Sequence, residues 1–441
     1  MRACSLVIAL LGLCLPVALP AADRPPNIVF ILSDDLGQGQ LGCYGQKLIQ
    51  TPRLDRMAAE GTRFTQAYTG TSVCAPSRAS LMSGLHMGHC PIRANREIQP
   101  EGQKPLPAET RTVAQILKGA GYATACTGKW GLGMWDTTGS PLKKGFDFFY
   151  GYNCQRHAHT YFPTYLWRNE TREELDGKTY SQNLIQKETL NWVRAHADKP
   201  FFLYYAITLP HAKLEIDDLG IYRDRPWTDR QKALAAMVTR VDSDVGALLD
   251  LLSELRIDDN TIVFFSGDNG NDTGPGSEMD KLFDQNKGLR AFKRSMYEGG
   301  LRQPSIVRWP GQVPARVCDE PWAFWDFLPT AAALSGAALP ADLKTDGLDL
   351  TAFLKGAPAP KRECFYWELH EGQAQQAVRF EDWKAVRKGP KGVVELYNLA
   401  ADVAEKNDLA ATKPGLVKRA LELMEKSRAA DPAWPLPASW Q

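Results

Sequence analysis

The sequence predicts an α/β fold: a large, mostly parallel sheet sandwiched by helices, with a small C-terminal α+β subdomain that contains an antiparallel sheet. Uninterrupted apolar runs, typical of strands buried on both faces, occupy residues 27–32, 201–207 and 261–265. Predicted helices separate these runs, and strands that alternate with helices favour a parallel sheet. After about residue 361 the segments become short and alternating, which indicates the antiparallel sheet.

Turn and cap residues mark the elements between these runs. We expect a first helix over 52–60, which Thr51 would cap, and a second over 110–120, with Thr110 as its cap. Apolar residues at helical spacing predict a long helix over 230–255. The other predicted elements are a strand over 122–126, strands over 363–368, 377–380, 384–387 and 396–399, and a final helix over 414–429.

The start of the chain has the pattern of a secretory signal peptide, which we assign to residues 1–22. Its apolar centre is too short to span a bilayer and no later stretch is long enough, so we expect an exported protein, periplasmic or secreted, without a membrane span. Residues 23–345 form the predicted main domain and residues 346–441 the C-terminal subdomain. The junction is expected within the Ala-, Gly- and Pro-rich stretch 336–360.

Composition excludes some classes of function. The chain carries 52 Lys and Arg against 51 Asp and Glu, so no basic field indicates a nucleic-acid partner. Nine cysteines are present and none forms a C-x-x-C pair, which argues against the usual zinc patterns. Seven remain after the predicted signal. The odd number fits one cysteine reserved for chemistry, and free thiols explain it equally well.

Polar side chains follow the predicted strands where each strand ends. They are Asp34 and Asp35, Lys129, His211, and Asp268 with Asn269. Ligands bind at the carboxyl edge of open α/β sheets, so we expect these groups to converge in one site. Two oxygen-rich pairs at one edge would repel each other unless a cation lay between them. Carboxylate and amide oxygens favour Ca²⁺, with Mg²⁺ as the alternative.

The stretch 72–84 is predicted to be a loop that turns into a helix. A group at Cys74 would lie beside free backbone N–H groups and the positive end of the helix dipole, which suits an anion. Arg78, four residues on, can direct its guanidinium towards the same anion. A lone cysteine before a helix is more often a small buried hydrophobic residue, so other motifs must decide.

Cys74-Ala75-Pro76-Ser77-Arg78 matches the Cys-x-Pro-Ser-Arg signature of the type I, formylglycine-dependent sulfatases of the alkaline phosphatase superfamily. The chain resembles this family over roughly residues 25–410. The further segments that resemble family motifs are Pro26–Asp35, Gly128-Lys129-Trp130, Pro210-His211, Gly267–Gly270, Lys293 before Tyr297–Gly300, and Tyr397-Asn398-Leu399.

The resemblance implies an alkaline-phosphatase-like sulfatase fold in which residues 23–345 are the catalytic domain. It implies that a formylglycine-generating enzyme oxidises Cys74 to formylglycine, whose hydrate is the nucleophile. The implied metal ligands are Asp34, Asp35, residue 74, Asp268 and Asn269. The implied catalytic residues are Cys74, Arg78, Lys129, His211 and Lys293, with His211 or Lys293 protonating the leaving oxygen.

One position departs from the family pattern. The family often reads Gly-Lys-Trp-His-Leu-Gly, and its His helps to deprotonate the second hydroxyl of the hydrate. Gly131 stands in that place here. We hypothesise that His157 or His159 replaces the missing base, with His159 preferred. A structural role, or a place at the rim of the substrate pocket, explains these two histidines equally well.

The sequence therefore predicts a sulfuric ester hydrolase. A sulfated carbohydrate is the expected substrate, because aromatic residues are frequent over 161–167 and many relatives act on such substrates. Sulfated galactose or N-acetylgalactosamine units are a further guess. One alternative is a phosphomonoester or phosphonate hydrolase of the same fold, although the His-rich zinc set of the phosphatases is missing. The other is a non-catalytic protein that binds sulfated glycans, which only Gly131 favours.

Overall fold

The computed structural model describes residues 24–99 and 101–440, so the predicted signal peptide lies outside the described residues. The strands are β1 (Asn27–Ser33), β2 (Thr62–Tyr68), β3 (Ala123–Lys129), β4 (Phe148–Tyr152), β5 (Tyr165–Arg168), β6 (Thr171–Glu174), β7 (Phe201–Ile207), β8 (Thr261–Gly267), β9 (Arg302–Arg308), β10 (Arg316–Cys318), β11 (Trp322–Ala323), β12 (Phe365–Leu369), β13 (Gln375–Phe380), β14 (Trp383–Lys388) and β15 (Val393–Asn398). The helices are α1 (Pro52–Glu60), α2 (Cys74–Ser83), α3 (Val113–Gly119), α4 (Ser181–His196), α5 (Asp229–Glu254), α6 (Glu278–Phe283), α7 (Glu298–Leu301), α8 (Phe327–Ser335), α9 (Thr351–Leu354) and α10 (Pro414–Lys426). Within the described ranges, no helix combines the length and the apolar character that a membrane crossing requires.

The predicted fold class is confirmed. The large sheet has the strand order β10-β2-β9-β8-β1-β7-β3-β4-β5-β6, and β11 pairs with β2. Its centre, from β8 through β1, β7 and β3 to β4, is parallel throughout. Strand β9 runs antiparallel between β2 and β8, and β5 and β6 form an antiparallel edge. The central strands are buried on both faces, which explains their uninterrupted apolar sequences.

Helices cover both faces of this sheet. Helices α1, α4 and α5 pack with the side chains of β1 and β7 that point to one face, such as Ile31 and Tyr205. Helices α2, α3 and α8 cover the opposite face, where Phe30 and Tyr204 lie. The alternation of side chains along each strand therefore divides one apolar run between two cores.

The helix boundaries test the local reading of the sequence. Helices α1 and α5 confirm the helices predicted over 52–60 and 230–255. The predicted cap Thr110 is wrong: α3 begins at Val113, and the Thr112 hydroxyl accepts a hydrogen bond from the Gln115 N–H at 3.3 Å. In return, the Thr112 N–H donates to Gln115 Oε1 at 2.9 Å. This capping box places the helix cap at Thr112, two residues after the predicted one.

The C-terminal part forms a second, antiparallel sheet with the order β12-β13-β14-β15. Helix α10 packs on its outer face, and Trp367 on the inner face meets Tyr68 and Trp325 of the main domain. The side chains of Phe353 and Leu354 in α9 join the core of the main domain. The division between residues 345 and 346 stays a prediction.

A buried ion cluster joins the two sheets. The Lys384 ammonium on β14 lies 2.8 Å from a Glu298 carboxylate oxygen and 3.0 Å from one of Glu405, and all three side chains are fully buried. Burial, opposed by Lys384, raises the pKa of Glu405 to about 7. Burial acts in the same direction on Glu298, but Lys384 and two arginines outweigh it and hold the pKa of Glu298 at about 2. One ammonium therefore neutralises carboxylates from both sides of the junction.

We expect Lys384→Met to lower the free energy of unfolding by about 3–5 kcal/mol, because it removes the cation paired with the buried Glu405 carboxylate and leaves Glu298 paired with Arg302, at 3.5 Å. Lys388→Met on the same strand is the matched control: its partner Glu395 lies 3.1 Å away, but the Lys388 side chain is 38% exposed. That pair should contribute less than about 1 kcal/mol. Urea unfolding curves measure both, and equal losses in the two variants would contradict the role given to the cluster.

Candidate active site

Four adjacent parallel strands end at one place. In the sheet, β8, β1, β7 and β3 are neighbours, and Ser33 at the end of β1 is level with Ile207 and Gly267. The predicted convergence of polar side chains follows directly from this register. Gly128 allows β3 to fit, because its φ is +96° and a Cβ there would collide with the Ala206 carbonyl.

Asp34 is the hub of the site. One of its oxygens lies 3.4 Å from Cys74 Sγ, and the other accepts from Lys129 Nζ at 2.5 Å and lies 3.6 Å from an Arg78 nitrogen. Burial alone would raise the pKa of Asp34, but Lys129, His211 and Arg78 outweigh burial and hold this pKa well below its usual range. Asp34 is therefore a permanent carboxylate next to residue 74.

Asp35 forms a second group of contacts. Its Oδ1 accepts from Asn269 Nδ2 at 2.6 Å, and its Oδ2 accepts from Lys293 Nζ at 2.7 Å and lies 3.3 Å from His211 Nε2. The backbone N–H of Asp35 donates to Asp268 Oδ1 at 3.1 Å. Burial opposes ionisation of Asp35, yet His211 and Lys293 lower its pKa. The pairs Asp34-Asp35 and Asp268-Asn269 thus lie in contact, as the sequence predicted.

Cys74 is the first residue of α2 and is buried. The next backbone N–H, of Ala75, donates to Asn95 Oδ1 at 3.0 Å, and the Ser77 hydroxyl donates to the Asp268 carbonyl at 2.6 Å. The first bond attaches the start of the helix to the loop that contains Asn95, and the second attaches it to the end of β8. Burial, with a further contribution from Asp34, raises the pKa of the Cys74 thiol. The unmodified side chain is therefore a neutral thiol at physiological pH.

Arg78 lies one turn further along α2 and is fully buried. Its Nε and Nη2 donate to one oxygen of Asp268 at 3.1 and 2.9 Å, and its Nη1 donates to the Lys129 carbonyl at 2.6 Å. Even so, burial and the nearby Asp34 raise the pKa of Asp268 to about 7. The guanidinium thus neutralises part, but not all, of the negative charge at this edge of the sheet.

These residues fit a hard divalent cation. Ligand atoms of Asp34, Asp35, Cys74 and His211 lie within 4.8 Å of one another. Asn269 Oδ1 is buried and has no hydrogen-bond partner among the described residues, so it is available to an ion. A cation here would also oppose the effect of burial and of Asp34 on the pKa of Asp268 and hold this carboxyl ionised. Oxygen ligands of this kind suit Ca²⁺ or Mg²⁺ better than zinc.

His211 and Lys293 form the outer side of the site. Their nitrogens Nε2 and Nζ are 3.0 Å apart, and His211 Nδ1 contacts the Ala212 carbonyl. Burial lowers the pKa of His211, so the neutral ring can donate from Nδ1 and accept from Lys293 at Nε2. The Tyr161 hydroxyl lies 2.7 Å from the His211 carbonyl and fixes this loop. Tyr161 is fully buried, so it cannot contact a sugar as the sequence suggested.

At Gly131, where the chain departs from the family pattern, the Gln155 side chain fills the space that a larger residue would need. Gly131 has a φ of +77°, and a Cβ there would collide with Gln155 Nε2. The Gln155 side chain is 5% exposed, and its Oε1 has no hydrogen-bond partner in the described part of the chain. An imidazole at residue 131 would therefore displace Gln155, and any base at the centre has to come from another segment.

The two candidate histidines lie in different surroundings. The His159 ring stacks on His211 with 4.2 Å between centroids and 12° between planes. Burial, Lys129 and His211 lower the pKa of His159 to about 3, so its ring is neutral. The His157 ring instead stacks on Tyr165, and its Nδ1 lies 3.4 Å from a Glu101 oxygen. Only His159 has a described contact with the group around Asp34 and Asp35.

Most of the proposed site was visible in the sequence, but several supporting residues were missed. The structure brings together Asp34, Asp35, Cys74, Arg78, Lys129, His159, His211, Asp268, Asn269 and Lys293. The missed residues are Asn95, Gln155 and Tyr161, together with the Ser77 hydroxyl. Ser77 belongs to the quoted signature and could have been found there. Asn95 and Gln155 carry no sequence signal, and the aromatic run that contains Tyr161 indicated a sugar contact instead of this supporting role.

The sequence model of the Sulfatase family matches residues 26–337. The chain belongs to the sulfatase family. A second model, described as N-sulphoglucosamine sulphohydrolase, C-terminal, matches residues 289–428. N-acetylgalactosamine-6-sulfatase of Canis lupus familiaris is 36% identical over 396 residues, which cover 82% of this chain and 72% of that protein. Arylsulfatase A of Homo sapiens is 33% identical over 403 residues, which cover 83% and 75%.

The structural comparison agrees with the sequence comparison. The crystal structure of Ps i-CgsB in complex with k-i-k-neocarrahexaose superposes with a TM-score of 0.83 at 30% identity and covers 94% of each chain. The predictions of a sulfatase, of its hydrolase activity and of an alkaline-phosphatase-like fold are therefore confirmed.

Proposed function

We propose that this sulfatase hydrolyses sulfate esters of a saccharide through a formylglycine made from Cys74, with a bound Ca²⁺ ion. The observation that carries the proposal is the position of Cys74. Its Sγ lies 3.4 Å from Asp34 and its residue begins α2, so the side chain lies beside the expected cation and at the positive end of the helix dipole. Mg²⁺ is the alternative ion for the same oxygen ligands.

The neutral state of the thiol supports the need for maturation. A thiol whose pKa is raised by burial and by a neighbouring carboxylate is a poor nucleophile. The aldehyde that a formylglycine-generating enzyme would place at residue 74 supplies, once hydrated, the oxygen that attacks sulfur. Maturation in an export pathway also agrees with the proposed signal peptide at 1–22 and a periplasmic or secreted location.

The remaining residues have roles that follow from their charge and position. The ion would be held by Asp34, Asp35, residue 74, Asp268 and Asn269, and it supplies positive charge beside the nucleophile. Negative charge develops on the sulfate oxygens as the ester bond breaks, and Arg78, Lys129 and Lys293 are the buried cations in place to stabilise it. Lys293 carries a proton for the leaving oxygen, and His211, whose neutral Nε2 accepts from Lys293, can protonate that oxygen once the Lys293 proton has passed to it.

The substrate class rests on the relatives. Those at 30% identity or more include an N-acetylgalactosamine-6-sulfatase and a protein crystallised with neocarrahexaose, and both names indicate sulfated or galactose-based saccharides. We therefore propose a sulfated galactose or N-acetylgalactosamine unit as the substrate.

Mass spectrometry of the peptide that contains Cys74 tests the mechanism. We expect an aldehyde at residue 74 in protein produced with a formylglycine-generating enzyme and a plain thiol in protein produced without that enzyme. Cys74→Ala, which can carry neither group, is the inactive control. Only the aldehyde form should cleave 4-nitrophenyl sulfate, because only it carries a nucleophilic hydrate. An unmodified thiol after co-production, or faster cleavage of 4-nitrophenyl phosphate than of the sulfate, would overturn the proposal, and the latter would favour a phosphate or phosphonate hydrolase.

Thermal unfolding tests the metal site without reference to activity. At 100 times its dissociation constant, a bound ion stabilises the fold by about 2.7 kcal/mol, so Ca²⁺ should raise the Tm of EDTA-treated protein. Asp35→Asn should abolish the rise, and it suits the backbone because Asn tolerates the φ of +59° at this residue. The control is Asp218→Asn, whose side chain is 67% exposed. An unchanged Tm in the wild type would exclude the site, and a larger rise with Mg²⁺ would identify the other ion.

We also propose that His159 replaces the base missing at Gly131, with His157 as its built-in control. Removing a general base typically costs about 10²–10⁴-fold in rate, so His159→Ala should lower kcat by this order. The pKa of about 3 keeps the ring neutral above that pH, so the variant should also remove from the pH profile the part of the loss of rate on acidification that comes from protonation of His159. His157→Ala should leave the profile unchanged, because its ring faces Glu101. Steady-state kinetics across pH measure both. Unchanged kcat in both variants would exclude this role for either histidine.

A further inference from the structure

A polar cluster lies at the rim of the site, beside Lys293 and the start of α2. It consists of Asn95, Asp272, Arg294 and Glu371, and we call it the rim cluster. None of these residues was assigned a role above other than the Asn95 contact with the helix. The cluster is unusual because its members come from separate loops, yet each is held by a bond to the catalytic machinery or to a neighbour in the cluster.

The main chain of Arg294 is fixed on both sides. Its N–H donates to the Ser72 carbonyl at 2.9 Å, and its carbonyl accepts from Gln375 Nε2 at 3.1 Å. Its φ is +68°, which a residue with a side chain adopts only at a cost of about 1–2 kcal/mol. The loop therefore holds Arg294, directly after Lys293, in an unfavourable backbone conformation.

The Arg294 side chain lies between two carboxylates. Its Nη1 is 3.5 Å from Asp272 Oδ1, and its Nε is 3.4 Å from Glu371 Oε2. The side chain is nevertheless 56% exposed, and a guanidinium has five N–H groups. Donors of Arg294 and acceptors of both acids therefore face the solvent side by side.

Two contacts connect the cluster to the reacting centre. Lys293 Nζ lies 3.8 Å from Asp272 Oδ1. On the other side, Glu371 Oε1 accepts from the Asn95 N–H at 2.9 Å, and Asn95 Oδ1 accepts from the Ala75 N–H at 3.0 Å. Arg294 is thus linked to Lys293 through Asp272, and to the backbone of Ala75, next to residue 74, through Glu371 and Asn95. A group bound to Arg294 would therefore lie beside the reacting centre, on the side that we assign to the alcohol part of a sulfate ester.

The charge of the cluster indicates what it binds. One guanidinium and two carboxylates leave an excess of negative charge, which disfavours a second sulfate or a carboxylate on the substrate. Neighbouring hydroxyls fit, because each can donate to a carboxylate oxygen and accept from the guanidinium. We propose that the rim cluster binds hydroxyl groups of the sugar ring that carries the scissile sulfate, and that Arg294 and Glu371 thereby determine specificity. This inference rests on the proposed function.

Glu371 brings the C-terminal subdomain into the site, since it lies in the turn between β12 and β13. The position of this turn depends on the packing of the small sheet against the main domain. The C-terminal subdomain therefore supplies part of the sugar-binding surface, whereas the residues that act on the sulfate all come from the main domain.

The test compares a sugar with a substrate that has no sugar hydroxyls. The ratio of kcat/KM for N-acetylgalactosamine 6-sulfate, or for a sulfated carrageenan oligosaccharide, to that for 4-nitrophenyl sulfate is measured in fully matured protein. Arg294→Ala and Glu371→Gln should each lower this ratio by about 10–100-fold, the effect of losing one hydrogen bond to a charged group. The matched control is Arg56→Ala, which removes a 68% exposed arginine paired with Glu60 in its own helix and should leave the ratio unchanged.

The outcomes separate this inference from the proposed function. An unchanged ratio in both variants overturns the sugar-binding role, and so does an increase with Glu371→Gln, which would indicate that the rim receives a second anion. Cleavage of 4-nitrophenyl sulfate with no cleavage of any of the sugar sulfates also overturns the inference but leaves the sulfatase function intact. Failure of the mature wild type to cleave any sulfate ester overturns both.

Discussion

The concentration of buried charge at the carboxyl edge of the sheet is the constraint on which the site depends. Three carboxylates and three cations lie there without access to water: Asp34, Asp35, Asp268, Arg78, Lys129 and Lys293. An isolated buried ion is prohibitively unfavourable, so each of these groups needs a partner at a fixed distance. The partners come from different strands and helices. The ion pairs therefore specify how the ends of β1, β3 and β8 and the start of α2 are arranged.

The three cations do not fully balance the negative charge of these carboxylates, and the remaining negative charge indicates where a further cation would bind. Arg78 directs two donors to one oxygen of Asp268, yet burial and Asp34 still raise the pKa of that acid to about 7. Asn269 contributes a buried carbonyl oxygen that no described donor satisfies. Both features are what a cation would correct. The protein alone thus provides an excess of oxygen ligands beside residue 74.

The sequence predicted those parts of the structure that rest on local pattern or on strand ends. The apolar runs predicted β1, β7 and β8, and the polar residues after them predicted where the site would lie. The start of α3 was wrong by two residues, because Thr110 and Thr112 are equally good caps in isolation and only the side chain of Gln115 selects between them. The burial of Tyr161 was also invisible. Its aromatic loop suggested a sugar platform, whereas its hydroxyl supports the His211 loop.

The surroundings of Gly131 show why a histidine does not fit at this residue. A residue at a φ of +77° is preferably glycine, and here the adjacent space holds the Gln155 carboxamide. Gln155 belongs to the same segment as His159, four residues further on. This segment thus fills the space beside Gly131 with the Gln155 side chain, and it also places the neutral imidazole of His159 against His211. Because Gln155 and His159 lie in one loop, a larger side chain at residue 131 that displaced Gln155 would also disturb the stacking of His159 on His211.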